Sequence, residues 1–331
     1  MKPLVSVLIP TYNRPEYFEL ALTSVLQQTY NSIEIIVCDN SDNDLTGQVV
    51  QKYLSAPNGA QIRYVKNASN IGPIANQQQC LDLATGEYIN YLMDDDWFHP
   101  DKIETMLPYL LHNRSVSLVT ARRQLVDQEG RPGDAVPRGQ EFRGRFVRNN
   151  AISGRKLGRE LLLKRNNYIG EPSCVLFRRS ALTGPFGTYA GVPASINVDV
   201  ATWLNLLARH DAVFLAKPLS YLRIHAGQLS QSPPSRLARL CDWIDHSIAW
   251  RKDGLLKDKP FVSIMKSCEQ PVLHDIPKWD RRTDGLYAPE VIRKLRVWIE
   301  AVEGCPELDG LAGAFMATLA RLQRRRGQER S

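Results

Sequence analysis

No two cysteines in this 331-residue chain are spaced C-x-x-C, and no apolar run approaches the ~18 to 20 residues that cross a bilayer. The first absence excludes zinc-ribbon and dithiol-redox readings. It leaves Cys38, Cys80, Cys174, Cys241, Cys268 and Cys305 scattered, two of them in apolar stretches where a thiol acts as a small buried hydrophobe. A reduced, cytoplasmic setting is expected. The second absence excludes a membrane-spanning helix. The longest early apolar run, Leu4 to Ile9, is too short for a signal-peptide core, and Thr11, Tyr12, Asn13 and Arg14 follow it without a small-residue cleavage site. The expectation is a soluble or peripheral protein. Internal repeats and low-complexity tracts are also missing. With 43% hydrophobic, 23% charged and 8% aromatic residues, collagen-like, disulfide-scaffold and disordered classes are excluded as well.

What is present is an uneven charge. The net value is +7, yet residues 1–121 carry 7 basic and 13 acidic side chains, and residues 122–165 carry 12 and 5. The remainder carries 23 and 17, so an acidic front precedes a basic middle.

The front reads as alternating strands and helices. Pro3 to Pro10 (PLVSVLIP) is an apolar run bounded by proline, as in a strand buried on both faces. Asn13, Arg14 and Pro15 then open a helix whose Phe18, Ala21, Leu22, Val25 and Leu26 recur at helical spacing. Strands are expected at Ile33–Cys38, Ile62–Val65 and Tyr88–Met93, with helices at Val49–Leu54 and Asn76–Ala84 between them. Such alternation predicts an α/β domain whose ligand sits beyond the carboxyl ends of the strands. The unusual residues fall there: Thr11 to Arg14, Asp39 to Ser41, Asn67 to Gly72 and Asp94 to Asp96. Residues 122–165 read as an irregular basic excursion with a short helix near its end. Ser173–Phe177 and Pro218–Ile224 read as strands and Val198–Leu207 as a helix. Three helical patterns follow about Ser235, among them Val291–Val302 and Leu311–Gln323.

Three consecutive carboxylates at a strand end raise one another's pKa unless a counter-charge is present. A hard divalent cation is one such partner, since Mg²⁺ or Mn²⁺ binds one or two carboxylates and completes its shell with phosphate oxygens and water. An acidic helix start is the other reading.

Pro10-Thr11-Tyr12-Asn13-Arg14, the strand ending at Asp39-Asn40-Ser41, Asn70-Ile71-Gly72 and, above all, GEYINYLMDDDWFHPDKIE (Gly86 to Glu104) together resemble the family 2 glycosyltransferases of the GT-A fold. The resemblance implies a Rossmann-like, mixed, mainly parallel sheet flanked by helices, with a C-terminal helical extension. It implies a nucleotide-sugar half over 1–121, an acceptor and catalytic half over 122–230, and a helical region over 231–331. Pro10, Thr11, Tyr12, Arg14, Asn70 and Gly72 would line the donor, with the Tyr12 ring packing on a pyrimidine. Asp39 would accept from the N3–H of uracil or thymine, and Asp94 would lie near the ribose. Asp95 would hold Mg²⁺ or Mn²⁺ on the diphosphate, with Asp96 an alternative ligand and His225 a ligand of the metal or of the leaving diphosphate. Met93 stands where the family's D-x-D motif has its first Asp, which makes Asp94 and Asp95 the expected pair.

In the second half, Gly170-Glu171-Pro172-Ser173 with Val175 to Arg179 resembles the strand before the acceptor site. Val198 to Trp203 resembles an E-D-x-x-L-W segment, with Val198 replacing Glu and Asp199 retained as the base that takes the acceptor hydroxyl proton. Tyr221 to His225, followed by Ser230, resembles a Y-R-x-H segment closing the site. The implied chemistry is transfer of one sugar from a UDP- or dTDP-sugar to a glycan or lipid-linked glycan, with inversion. No Q-x-x-R-W segment of the processive synthases occurs.

Alternatives are a catalytically degenerate member of the same fold and a sugar-nucleotide pyrophosphorylase. The latter needs a glycine-rich phosphate loop, which PTYNRPEY lacks. A nucleic-acid partner is not expected, because the basic stretch has only Phe142 and Phe146 among its aromatics and no recognised motif. The basic excursion from Arg122 to Arg165 and Arg324-Arg325-Arg326, after an amphipathic stretch from Leu311 to Leu322, suggest peripheral contact with an anionic membrane face.

Overall fold

The computed structural model describes residues 2–54, 61–132, 150–225, 235–275 and 288–328. Phe142, Phe146, Ser230 and the central part of the basic excursion lie outside the described residues. The first half of the chain runs β1 (Val5–Thr11), α1 (Pro15–Leu26), β2 (Ile33–Asp39), α2 (Leu45–Tyr53), β3 (Gln61–Lys66), α3 (Pro73–Leu83), β4 (Tyr88–Tyr91), β5 (Trp97–Phe98), α4 (Lys102–His112) and β6 (Val116–Val126). It continues as β7 (Ala151–Ile152), α5 (Gly154–Lys164), β8 (Val175–Arg178), β9 (Thr188–Tyr189), β10 (Val192–Pro193), α6 (Val198–Leu207) and β11 (Asp211–Arg223). The chain then runs through α7 (Ser235–Lys252), α8 (Asp258–Asp275), α9 (Ala288–Val302) and α10 (Asp309–Gln328).

Nine strands form one sheet in the order β3-β2-β1-β4-β8-β6-β11-β5, with β7 also on β11. Pairs β1–β2, β1–β4, β2–β3 and β6–β11 are parallel. Strand β8 runs antiparallel to both β4 and β6, so the carboxyl ends of β1, β2, β3, β4, β6 and β11 share one edge with the start of β8. The loops at this edge carry the residues singled out in the sequence.

Local chemistry explains each entry to that edge. Strands β1 and β2 are almost wholly buried, which is why their sequences are unbroken apolar runs; edge strand β3 exposes Gln61 and Arg63. Helix α1 starts at Pro15, whose missing N–H costs nothing at a first turn, and buries Phe18, Ala21, Leu22 and Val25 on one stripe. Gly72 enters α3 at φ +86°, a conformation that favours glycine. Gly86 opens β4 against the neighbouring chain: a Cβ there would lie 2.8 Å from Ser6 N and 2.9 Å from Leu4 O. Buried Glu34 fixes the same turn, accepting from Ser6 Oγ at 2.5 Å, Thr85 N at 2.7 Å and Gly86 N at 2.9 Å.

The structure corrects three boundaries. Strand β4 stops at Tyr91 because the chain turns at the aspartates, where Asp96 N donates to Met93 O at 3.0 Å. The expected excursion begins as strand: Arg122 to Val126 complete β6, and their polar side chains mask a ladder with Pro218 to Arg223 of β11. After Ser235 there are four helices among the described residues rather than three patterns.

The chain divides into two compact units. The first comprises Met1–Gly158, Asn167–Thr188 and Asp199–Ala226; the second comprises Arg159–Asn166, Tyr189–Val198 and Gly227–Ser331. The division expected after residue 121 falls inside β6, so the two functional halves foreseen in the sequence share one sheet. Within the second unit, Asp242 accepts from the backbone N–H groups of Ser195, Ile196 and Asn197 at 2.8–2.9 Å, and Asp245 pairs with Lys294 and Trp298.

Candidate active site at the carboxyl edge of the sheet

The three aspartates after β4 face different partners. Asp94 Oδ2 accepts from Thr11 Oγ1 at 3.0 Å and Tyr12 N at 3.2 Å, so the end of β1 grips the end of β4. Arg14 Nη1 lies 3.0 Å from both Asp94 Oδ1 and Asp95 Oδ2. His225 Nε2 sits 3.0 Å from the same Asp95 Oδ2, and its ring lies 5.5 Å from that of Tyr17. Asp96 turns inward, accepting from Ser173 Oγ at 2.6 Å and Arg223 N at 3.2 Å. Burial, then the neighbouring Asp95 charge, push the Asp94 carboxyl up to about 6 although Arg14 opposes them. The same two causes hold Asp96 well above the ordinary carboxylate range.

Arg223, named in the sequence only as part of the segment Tyr221 to His225, anchors this loop. It donates through Nε to Asp95 O at 3.1 Å while its guanidinium carbon lies 4.4 Å from the Tyr17 ring centroid and 5.0 Å from that of Trp97. Ser173 is a second such residue: its hydroxyl accepts from Met93 N at 3.0 Å and donates to Asp96.

The residues ending β2 form an adjoining group. Asp39 is fully buried; Oδ1 accepts from Ser41 N at 2.8 Å, and Oδ2 accepts from Tyr64 Oη at 2.8 Å and pairs with Lys66 Nζ at 3.3 Å. Lys66 is another residue that the sequence reading did not single out. Tyr12 is 43% exposed, so it is no core residue, and its hydroxyl donates to Asp42 at 3.0 Å. Asn13, at φ +53°, ties the two loops, donating from its backbone N–H to Ser41 Oγ at 2.8 Å and from its amide to Asp42 at 2.9 Å. Asn70 Oδ1 accepts from Gly72 N at 2.8 Å, and Gly72 O accepts from Asn40 Nδ2 at 3.2 Å. Pro10 lies in β1 opposite Cys38.

Asp199 belongs to a separate arm of the same sheet edge. Its Oδ2 accepts from Asn167 Nδ2 at 2.6 Å, and Asn167 Oδ1 accepts from Gly170 N at 3.0 Å, which fixes the orientation of the amide. Gly170 O in turn accepts from buried Trp203 Nε1 at 3.0 Å, locking the turn to α6. Burial first, then the Glu171 charge, push the Asp199 carboxyl up to about 7. Glu171 pairs with Arg123 at 3.3 Å, and Arg123 also feels the charge of Asp96. The expected residues thus fall into an aspartate–Arg14–His225 cluster, an Asp39 cluster and an Asp199 cluster.

No group of three or more His, Cys, Asp and Glu side chains is gathered around one point among the described residues. The donors at Asp95 and His225 nonetheless suit a hard ion. Asp95 Oδ2 already meets a cation, the Arg14 guanidinium, at 3.0 Å, and His225 Nε2 reaches the same oxygen, so a carboxylate and an imidazole stand together beside a positive charge. Phosphate oxygens and water fill the other positions of such ions.

Comparison with known proteins agrees with this layout. The family model described as Glycosyl transferase family 2 matches residues 6–183. An uncharacterized Mycobacterium tuberculosis protein is 28% identical over 228 residues, covering 67% of each chain. Escherichia coli WcaA, named for colanic acid biosynthesis, is 36% identical over 107 residues, 32% of this chain and 38% of its own length. Matches to several curated relatives thus span less than half of those proteins. Among solved structures, Staphylococcus aureus TarS 1–349 in complex with UDP-GlcNAc superposes with TM-score 0.61 at 17% identity, covering 97% of this chain and 89% of that one. The mannosyltransferase PcManGT of Pyrobaculum calidifontis, in complex with GDP-Man and Mn²⁺, gives TM-score 0.55 at 16% identity and covers 97% and 86%.

Proposed function

This chain belongs to glycosyl transferase family 2 and has the GT-A fold, and from that premise we propose that it moves one sugar from a UDP- or dTDP-sugar to a glycan hydroxyl with inversion. The observation that carries the reading is the joining of Thr11, Tyr12, Arg14, Asp94, Asp95 and His225 at one sheet edge. The names of WcaA and TarS's UDP-GlcNAc support a glycan acceptor and a uridine donor.

Each part has a task. The exposed ring of Tyr12 offers a flat face to the base, and Asp39, whose Oδ2 is held by Tyr64 and Lys66, would accept from the base in place of one of them. Asp94, held by Thr11 and the backbone of Tyr12, is placed for the ribose. Asp95 and His225 would hold Mg²⁺ or Mn²⁺, which when bound supplies positive charge against the departing diphosphate; the Mn²⁺ of PcManGT supports this. Asp199, its carboxyl raised to about 7, is tuned to take a hydroxyl proton near neutral pH.

The test combines binding and turnover. A panel of nucleoside diphosphates should bind with UDP and dTDP ahead of ADP and GDP, more tightly with Mn²⁺, and Asp39→Ala should erase the preference. Asp199→Asn should abolish sugar transfer while leaving nucleotide binding intact. Equal affinity for purine and pyrimidine diphosphates rejects the base pocket, and full turnover by Asp199→Asn rejects the assigned base.

A further inference from the structure

We infer that the Arg14 guanidinium is an internal counter-cation for Asp94 and Asp95, and that a divalent ion enters this site by displacing Arg14 from Asp95. The inference rests on the reading of Asp95 and His225 as ion ligands.

Three adjacent carboxylates need positive charge even without substrate. Arg14 supplies it from a single nitrogen, whose two hydrogens suffice for one carboxylate each: Nη1 is 3.0 Å from Asp94 Oδ1 and 3.0 Å from Asp95 Oδ2. Asp95 Oδ2 also faces His225 Nε2 at 3.0 Å, so both of its lone-pair directions are engaged. A metal ion landing on that oxygen takes one of these places. If His225 becomes a ligand, its hydrogen bond to Asp95 is given up, and the guanidinium is left sharing one oxygen with a dication. Coulomb repulsion at that range favours its departure.

The exits are unequal. The Asp94 and Asp95 side chains are 8% and 12% exposed, Asp94 held by Thr11 and the Tyr12 N–H and Asp95 held at its carbonyl by Arg223, whereas Arg14 is 29% exposed and reaches solvent by rotating its own side chain. Its backbone stays put, because Asn13 is bonded to Ser41 and Asp42 and Pro15 begins α1. The exchange therefore moves one side chain and leaves the sheet edge intact.

The readout is the guanidinium itself. In nucleotide-free protein carrying ¹⁵N-arginine, the side-chain signal lost in Arg14→Met identifies Arg14. Saturating Mg²⁺ should shift that signal and speed its rotation about the guanidinium bonds. Titration with Mn²⁺ alone, followed by the paramagnetic resonance of the free ion, should show about tenfold tighter binding by Arg14→Met, the effect of removing a charged hydrogen bond that competes with the ion. Lys52→Ala, which removes a cation paired with Glu19, should leave Mn²⁺ affinity unchanged. An Arg14 signal unmoved at saturation, or unaltered Mn²⁺ affinity in Arg14→Met, overturns the proposal. Asp95→Ala separates the two readings: if it binds Mn²⁺ like the wild type, the ion ligands themselves are misassigned.

Discussion

Asp199 shows how single residues set the chemistry of this site. Burial and the Glu171 carboxylate raise its proton affinity, while the Asn167 amide, 2.6 Å away, favours the ionised form. As the proposed base it would work only when ionised, so kcat/KM should climb with pH through about 7 and level off above it. Glu171→Gln removes a like charge and should move that limb to lower pH. Asn167→Ala removes a donor to the carboxylate and should move it to higher pH. A pH profile for the three proteins checks both signs, and displacement of either variant in the opposite direction refutes the network. Asp199 was singled out in the sequence through its motif. Asn167 was not, because an asparagine before a glycine turn carries no functional signal; its role arises only once Gly170 N–H orients the amide. Asp39 was read as an acceptor at a strand end, yet its partners Tyr64 and Lys66 come from the neighbouring strand β3, a pairing that no local pattern encodes.

Helix α4 carries a charge where an element normally buries an apolar stripe. Lys102 is fully buried; its Nζ donates to Ser220 Oγ at 3.1 Å and lies 4.9 Å over the Phe98 ring, and no carboxylate pairs with it among the contacts described. Burial pushes its pKa down to about 7 from an ordinary 10.5. Below pH 7 both folded and unfolded chains carry the proton and the full burial cost is felt; between 7 and 10.5 the unfolded chain alone stays charged, so this group's contribution to stability improves as pH rises. Lys102→Met keeps the length, removes the charge and should raise the melting temperature at pH 7 by about 2–4 °C, the response expected for roughly 1 kcal/mol in a domain of this size. The gain should fade toward pH 10. Calorimetry at both pH values decides, and a lower melting temperature at pH 7 would show that the Ser220 bond outweighs the burial cost. At this scale the sequence was clear where elements are uniformly apolar, as in β1 and β2. It misled where polar side chains line a paired strand, as at Arg122 to Gln124 of β6, whose partner β11 lies some hundred residues away in sequence.

The whole chain joins a family domain to a basic remainder. The family match ends at residue 183, and residues 166–331 carry six more basic than acidic side chains. The first part of the apolar stripe foreseen on α10 is already used: Leu311 and Phe315 are buried, the Phe315 ring lies 5.4 Å from that of Trp298 on α9, and Ala314, Thr318 and Leu319 are half-buried. An attachment to a membrane face would therefore draw on charge rather than on insertion of this stripe. Arg293, Arg296 and Arg324 are exposed and would supply that charge; the side chains of Arg325 and Arg326 lie outside those described. Each basic group near an anionic leaflet contributes about 1 kcal/mol, and the field decays over about 8 Å at physiological salt. Peripheral contact of this kind would bring the proposed transferase to a lipid-linked acceptor. It predicts co-sedimentation with vesicles containing anionic lipid at low salt, release at high salt, and no binding to neutral vesicles. Arg293→Glu combined with Arg296→Glu should weaken the binding several-fold without altering nucleotide affinity. Attachment that ignores salt and lipid charge, or no attachment at any salt, would leave the basic remainder to serve solubility alone.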